Sequence, residues 1–232
     1  MLIEPDPELR SAMLELLKKE YQLEQQREGL HLSSLIYCLT KSYWDKHEPL
    51  PPTDKEVQLW SIGLALERVM ISKLHVDELT VDGIKMNPDF RLILPADLKS
   101  TRMRASGRKG EGGFQFPDGW RKQFAAYRYG LNQVEGTKQL DFGVIVMHLI
   151  QPEITAWKAW FTQGELEANW AWVLERADTF ESMDAAQDPQ PFQHNEDWEC
   201  QNCRYVLMCG LEASLKGGVV AKGNTPVVHD GS

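Results

Sequence analysis

Asn87-Pro88-Asp89-Phe90-Arg91-Leu92-Ile93-Leu94-Pro95-Ala96-Asp97-Leu98-Lys99 is the stretch on which the fold turns. Asn87-Pro88 marks a turn, and Arg91 to Leu94 reads as a strand. A tight hairpin there would set Asp89 beside Asp97. Asp97 and Lys99 point to one side of a strand, because side chains alternate with period two. Two carboxylates within about 4–6 Å repel each other, and a hard divalent cation such as Mg²⁺ is what usually resolves such a pair. Taken singly, each of these residues is equally at home as an ordinary surface charge.

Working outward, the segment before this stretch is helical. Asp6-Pro7-Glu8 starts a helix that carries Leu9, Met13 and Leu16 at helical spacing and runs to about Gln26. A loop through Pro49, Pro51 and Pro52 leads to Thr53 and Glu56, a capping box. The helix it opens carries Val57, Trp60, Leu64 and Ile71 in one stripe. Glu67 falls in that stripe, and a carboxylate is costly to bury without a partner. Leu79 to Thr101 reads as short β-rich pieces. Asp82, on the segment before Asp89, is the alternative acid if the hairpin is longer.

After the hairpin, Lys99, Arg102, Arg104, Arg108 and Lys109 follow with no acid among them, ahead of Gly110, Gly112 and Gly113. A solvated loop and a phosphate-approach surface both suit that pattern. Trp120, Phe124, Tyr127 and Leu131 recur at helical spacing, with Gln123 one turn before Tyr127. Trp120, Phe114 and Phe116 could stack bases or fill the core; Trp157, Trp160, Trp170 and Trp172 are assigned to the core, and His148 to a structural role. Phe142 to Ile150 and Ile154 to Phe161 read as two strands joined at Gln151-Pro152, and Gly164 to Met183 as a helix. Helices at both ends of a strand-rich centre predict an α/β fold, a mixed central sheet flanked by helices.

The chain has four cysteines. Cys200-x2-Cys203-x5-Cys209 places three close together, and Cys38 stands far upstream. Four thiolates suit a tetrahedral zinc or a [4Fe-4S] cluster, and the spacing leaves both open. With Cys38 included, the set would staple the N-terminal helical region to the C-terminal end, against a loop-closure cost of roughly 4–5 kcal/mol. His194 is a remote alternative ligand.

Composition sets the limits. With 232 residues, 42% hydrophobic and 25% charged, the chain can bury a full core without disulfides or metal. A net charge of -9 excludes bulk attraction to nucleic acid. The first residues are acidic where a signal peptide would be basic, and Phe142 to Ile150 is too short to span a bilayer. The chain is therefore read as cytoplasmic, without a membrane partner and with reduced cysteines. The expected organisation is one domain over 1–216, made of an N-terminal helical part (1–52), a core (53–183) and a cysteine segment (184–216), followed by a mobile tail (217–232).

Taken in chain order, these motifs resemble the PD-(D/E)xK nuclease superfamily, and within it the RecB-like, iron–sulfur-containing exonucleases that include CRISPR-associated and phage-encoded forms and the AddB-type nuclease domain. Gly63-Leu64-Ala65-Leu66-Glu67 looks like the family's glycine-led helix motif, with Glu67 where many members have histidine. Pro88-Asp89 looks like its PD element, Asp97-Leu98-Lys99 like (D/E)xK, and Gln123-x3-Tyr127 like Q-x3-Y. Cys38, Cys200, Cys203 and Cys209 are similar to its cluster. The resemblance covers roughly residues 31 to 210. It implies a restriction-endonuclease-like core and a DNA exonuclease or end-processing nuclease acting on single strands or duplex ends. One or two Mg²⁺ or Mn²⁺ ions would sit on Glu67, Asp89, Asp97 and the Leu98 carbonyl. Lys99 would act on the attacking water, Gln123 and Tyr127 would meet the DNA backbone or brace Lys99, and Arg102, Arg104, Arg108, Lys109 and Trp120 would bind DNA. A [4Fe-4S] cluster and protein partners in recombination, phage or CRISPR pathways are implied as well. A reading from a different class is a catalytically silent DNA-end binding module.

Overall fold

A computed structural model describes residues 5–25, 28–71, 76–107, 113–201 and 203–216. Helix α1 (Pro7–Gln25) packs on α4 (Asp54–Ile71), with strand β1 (Leu30–His31) and helices α2 (Leu32–Ile36) and α3 (Leu39–His47) between them in sequence. The Thr53 capping box forms as read: Glu56 Oε2 accepts from the Thr53 backbone N–H at 2.8 Å, and Thr53 Oγ1 accepts from the Glu56 N–H at 3.2 Å. The short helices α2 and α3 had no sequence signal, since neither is long enough to display a period.

Strands β2 (Leu79–Val81) and β3 (Ile84–Met86) form a hairpin, and β1 joins β3 in parallel to complete a three-stranded sheet. Its turn is Asp82-Gly83, both with positive φ, the conformation two-residue hairpins require. A second sheet has the order β4 (Phe90–Arg91), β5 (Pro95–Thr101), β6 (Asp141–His148), β7 (Glu153–Trp160). The β4–β5 pair is antiparallel, β5–β6 parallel and β6–β7 antiparallel. The parallel pair needs a crossover, and α5 (Asp118–Glu135) supplies it. Helices α6 (Gln163–Ala186), α7 (Trp198–Gln201) and α8 (Val206–Leu215) follow. Mixed sheets flanked by helices are thus the architecture.

Two strand readings need correction. Leu92–Leu94 is the bend between β4 and β5 and not a strand, with Ile93 97% exposed. Trp157 and Trp160 are not in the core: β7 is an edge strand, and both indoles are exposed, whereas Trp170 is buried and Trp172 half-buried. One face of the second sheet, carrying Asp97, Lys99, Phe142, Val144 and Val146, lies under α5, where Phe142 stacks on Phe124. Gly143 lies on the opposite face, where an added Cβ would come within 2.8 Å of Ala96 Cβ.

Protein groups tie residues 35–56 to residues 176–205. The Cys38 N–H donates to Glu199 Oε2 at 2.7 Å, the Leu39 N–H to the Gln193 carbonyl at 2.9 Å, and the Gln193 N–H to Thr40 Oγ1 at 3.0 Å. Tyr205 Oη donates to Asp45 Oδ1 at 2.7 Å and accepts from the Leu50 N–H at 3.1 Å. Arg204, its side chain 6% exposed, pairs with Asp45 and with Glu56. Without Arg204, Asp45 would keep Lys41 and the Tyr205 hydroxyl and Glu56 its capping-box bonds, so the cost is that of the buried guanidinium's own contacts. Arg204→Met should lower unfolding free energy by about 2–3 kcal/mol in urea titrations, and the loss should persist in high salt, which screens exposed pairs only.

Candidate functional site

Asp89, Asp97, Leu98, Lys99, Glu67, Gln123 and Tyr127 line one cleft of about 290 Å³. Three local features build it. The antiparallel register pairs Phe90 with Ala96, which carries Asp89 to the level of Asp97. The parallel register sets Asp97 opposite Val144 and Lys99 opposite Val146, pointing both side chains toward α5. Helix α5 then lays Gln123 and Tyr127, a turn apart, over them.

The polar geometry is tight. Asp89 Oδ2 accepts from the Leu98 N–H at 2.6 Å. Burial, and then the charge of Asp97, push the Asp89 carboxyl up to about 8. Asp97 is 1% exposed, and its Oδ2 lies 2.7 Å from Lys99 Nζ. The Lys99 ammonium thus answers the charge of Oδ2, although the contact departs from ideal hydrogen-bond alignment. Burial alone would lower Lys99, but Asp97, Tyr37 and Asp89 outweigh it and hold the ammonium. Gln123 Nε2 donates to Tyr127 Oη at 3.0 Å, while Gln123 Oε1 is buried and unpartnered. Burial keeps the Tyr127 phenol protonated.

Other expected residues fall differently. Glu67 is exposed on α4 and reaches the cleft from its rim, so the stripe does not bury it. Asp82 takes no part: it sits in the β2–β3 turn and accepts from Trp170 Nε1 at 2.8 Å. Arg102 and Arg104 are exposed beyond β5 and do not line the cleft; Arg108 and Lys109 lie outside the described residues. Trp120 is half-buried in an aromatic cluster with Phe114 and Phe116. His148 is buried between the Met103 carbonyl and Thr155 Oγ1, and His194 faces Asp197. His31, Lys85 and Asn87 also line the cleft. Only the pairing of the two-residue strand β1 with β3 sets His31 beside Lys85, and no sequence period could have announced it.

The four cysteines carry free thiols, with Cys38 and Cys209 buried. Burial pushes each thiol up, Cys200 to about 12 and Cys209 to about 11. Cys38, Cys203 and Cys209 all add to the shift at Cys200, so the four occupy one neighbourhood. Among the described residues, however, no group of three or more His, Cys, Asp or Glu is gathered closely enough to hold a metal ion. The closed tetrahedral shell expected of the thiols is not formed, and an iron–sulfur cluster gains no support from this arrangement. No helix of the described residues is long and apolar enough to cross a membrane.

No protein-family model matches the chain, and no curated protein matches it by sequence. Among solved structures, SSO0001 aligns with a TM-score of 0.54 at 14% identity, covering 85% of this chain and 96% of its own. That likeness shows the fold alone. A distant structural neighbour, a phage-related exonuclease from Haemophilus somnus 129PT, aligns at 11% identity over 69% of this chain and 96% of its own. Its TM-score of 0.39 is too low to carry an argument.

With chelator present, the raised Asp89 carboxyl makes stability depend on pH. The folded protein keeps a proton up to about pH 8 that the unfolded carboxyl releases near its usual value, about 3.9. Between these values the native state binds more protons, so stability should fall as pH rises from about 4 to about 8. Thermal melts across that window should show the fall, and Asp89→Asn should flatten it.

Proposed function

We propose that the chain is a metal-dependent DNA exonuclease or end-processing nuclease of the PD-(D/E)xK, RecB-like kind, hydrolysing phosphodiester bonds in single-stranded DNA or at duplex ends. The observation that carries this reading is the convergence of Asp89, Asp97, Lys99, Gln123 and Tyr127 on one cleft, with the buried Asp97 carboxylate beside the Lys99 ammonium and close enough to Asp89 to raise its pKa. Two neighbouring carboxylates suit a hard cation, which would relieve their repulsion. Asp89, Asp97 and the Leu98 carbonyl would hold one or two Mg²⁺ or Mn²⁺ ions, and Glu67, which stands at the cleft rim, would have to move in to join them. A divalent cation bound there supplies an acidified water and charge neutralisation at the phosphate.

The chain's own groups have separate tasks. Lys99, as an ammonium, donates to the attacking water or to a phosphate oxygen and positions it. The unpartnered Gln123 Oε1 and the Tyr127 phenol, coupled to each other, fix the wall against which the backbone lies. Arg102 and Arg104, exposed beyond β5, are suited to meet phosphates further along the strand. We extend the proposal to a [4Fe-4S] cluster on Cys38, Cys200, Cys203 and Cys209, on the resemblance of their spacing to the family's cluster; the thiols would have to draw closer than they stand here to hold it.

Incubating end-labelled single-stranded DNA with Mg²⁺, Mn²⁺ or EDTA tests the activity. Cleavage should require the divalent ion and fall about 10²–10⁴-fold in Lys99→Ala with the fold retained. DNA binding without cleavage in any metal would favour the catalytically silent module. For the cluster, anaerobically purified protein should contain iron and absorb broadly near 400 nm, and Cys38→Ala should lower the melting temperature as much as Cys203→Ala. Stability of Cys38→Ala equal to wild type would remove Cys38 from the set.

A further inference from the structure

The exposed edge strand β7 suggests an interface that does not depend on the proposed activity. Ile154 is 54% exposed, Trp157 43% and Trp160 69%, an unusual load for one eight-residue strand. The phase of the ladder decides which backbone groups are free. The Phe161 N–H donates to the Leu140 carbonyl at 2.8 Å, one step beyond the Asp141–Trp160 pair. In an antiparallel ladder, alternate residues turn both backbone groups toward the same neighbour. Glu153, Thr155, Trp157 and Ala159 therefore bond toward β6, and Ile154, Ala156, Lys158 and Trp160 turn N–H and C=O outward. Among the described residues no backbone group bonds to this outward side.

We propose that two copies of this chain join by antiparallel pairing of β7 with the partner's β7, with Trp157 on the two-fold axis. An axis normal to the sheet keeps each face on its own side and requires outward-turned residues to meet. With Trp157 on the axis, Ile154 meets the partner's Trp160 and Ala156 meets the partner's Lys158. All four outward residues of both copies are then paired. Sliding one way sets Ile154 against the partner's Thr162, beyond the end of β7 and with its N–H already given to Glu165, so an outward pair is lost. Sliding the other way sets Trp160 against the partner's Pro152, which has no N–H to give.

Charge does not guard the edge. Lysine on an edge strand normally discourages pairing. Here Lys158 is ion-paired to Asp141 at 3.3 Å and lies over the Trp160 ring at 5.0 Å, so its charge is already answered within the copy. The exposed indole surface is on the order of 250 Å² per copy, about a third of the roughly 800 Å² per partner in a stable interface, with the strand edge and Ile154 adding to it.

Sedimentation velocity of the full chain over a concentration series tests the proposal. Wild type should form a dimer, and Ala156→Pro should weaken it at least about tenfold, since it deletes an outward donor in each copy and leaves the bonds to β6 intact. If Ala156→Pro does not fold by circular dichroism, Ile154→Lys provides the same test. Trp157→Cys should crosslink on mild oxidation beyond the wild-type background, because residues at such a pair lie about 4.5 Å apart; Glu167→Cys on α6 should not. A monomer at every concentration overturns the proposal. So does a dimer that Ala156→Pro and Ile154→Lys leave unchanged, with no extra crosslink from Trp157→Cys.

Discussion

Asp97 is a carboxylate with almost no exposure, held inside a parallel ladder, and its burial constrains the rest of the site. Taking an unpaired ion out of water costs several kcal/mol, so its surroundings must answer the charge. Lys99, two residues along on the same face, supplies the countercharge. Helix α5 covers the face on which both side chains lie, and β4 and β6 flank β5 on either side. The β4–β5 hairpin then delivers Asp89, whose carboxyl is satisfied by the Leu98 N–H but repelled by Asp97. Asp97 Oδ2 and Gln123 Oε1 remain without hydrogen bonds in the same cleft. A fold that selected only for stability would replace these groups with apolar ones, which often costs nothing.

Closure of the chain does not rest on the thiols. Glu199 accepts from the N–H of Cys38 and from those of Asn195 and Glu196, gathering the start of α3 and the segment before α7 around one carboxylate. With Thr40, Asp45, Arg204 and Tyr205 added, the two ends of the fold are joined by directional bonds of ordinary strength. The loop-closure entropy attributed to a metal staple is therefore already met in large part by these bonds. A metal bound by the thiols would reinforce a junction that exists without it.

The features legible in the sequence were those carried by short, local chemistry. Thr53 and Glu56 announced α4, Gln151-Pro152 the β6–β7 turn, and the spacing of Asp89 and Asp97 their meeting across a hairpin. What stayed hidden depended on distant partners. Leu92 to Leu94 have strand composition, yet the hairpin needs those residues for its bend. Glu67 shares a helical stripe with Val57, but the stripe runs past the core to the cleft rim, so Val57 is fully buried, Trp60 and Leu64 half-buried and Glu67 exposed. Asp82-Gly83 is a strong two-residue hairpin signal, and reading it would have removed Asp82 as a candidate acid.

The order β4-β5-β6-β7 that makes β5 internal leaves β7 at the edge. Trp157 and Trp160, assigned to the core, are exposed for that reason. If two such edges meet, the two β5 strands lie five strand spacings apart, about 24 Å. Sheet twist of roughly 20–25° per strand turns them by more than about 100° over that distance. Two clefts so rotated cannot face one phosphodiester or share one set of ligands, so each copy must carry its complete site. Pairing through β7 would therefore leave the chemistry of each cleft as it is and double the number of sites held on one body, which favours retention on a long strand through avidity.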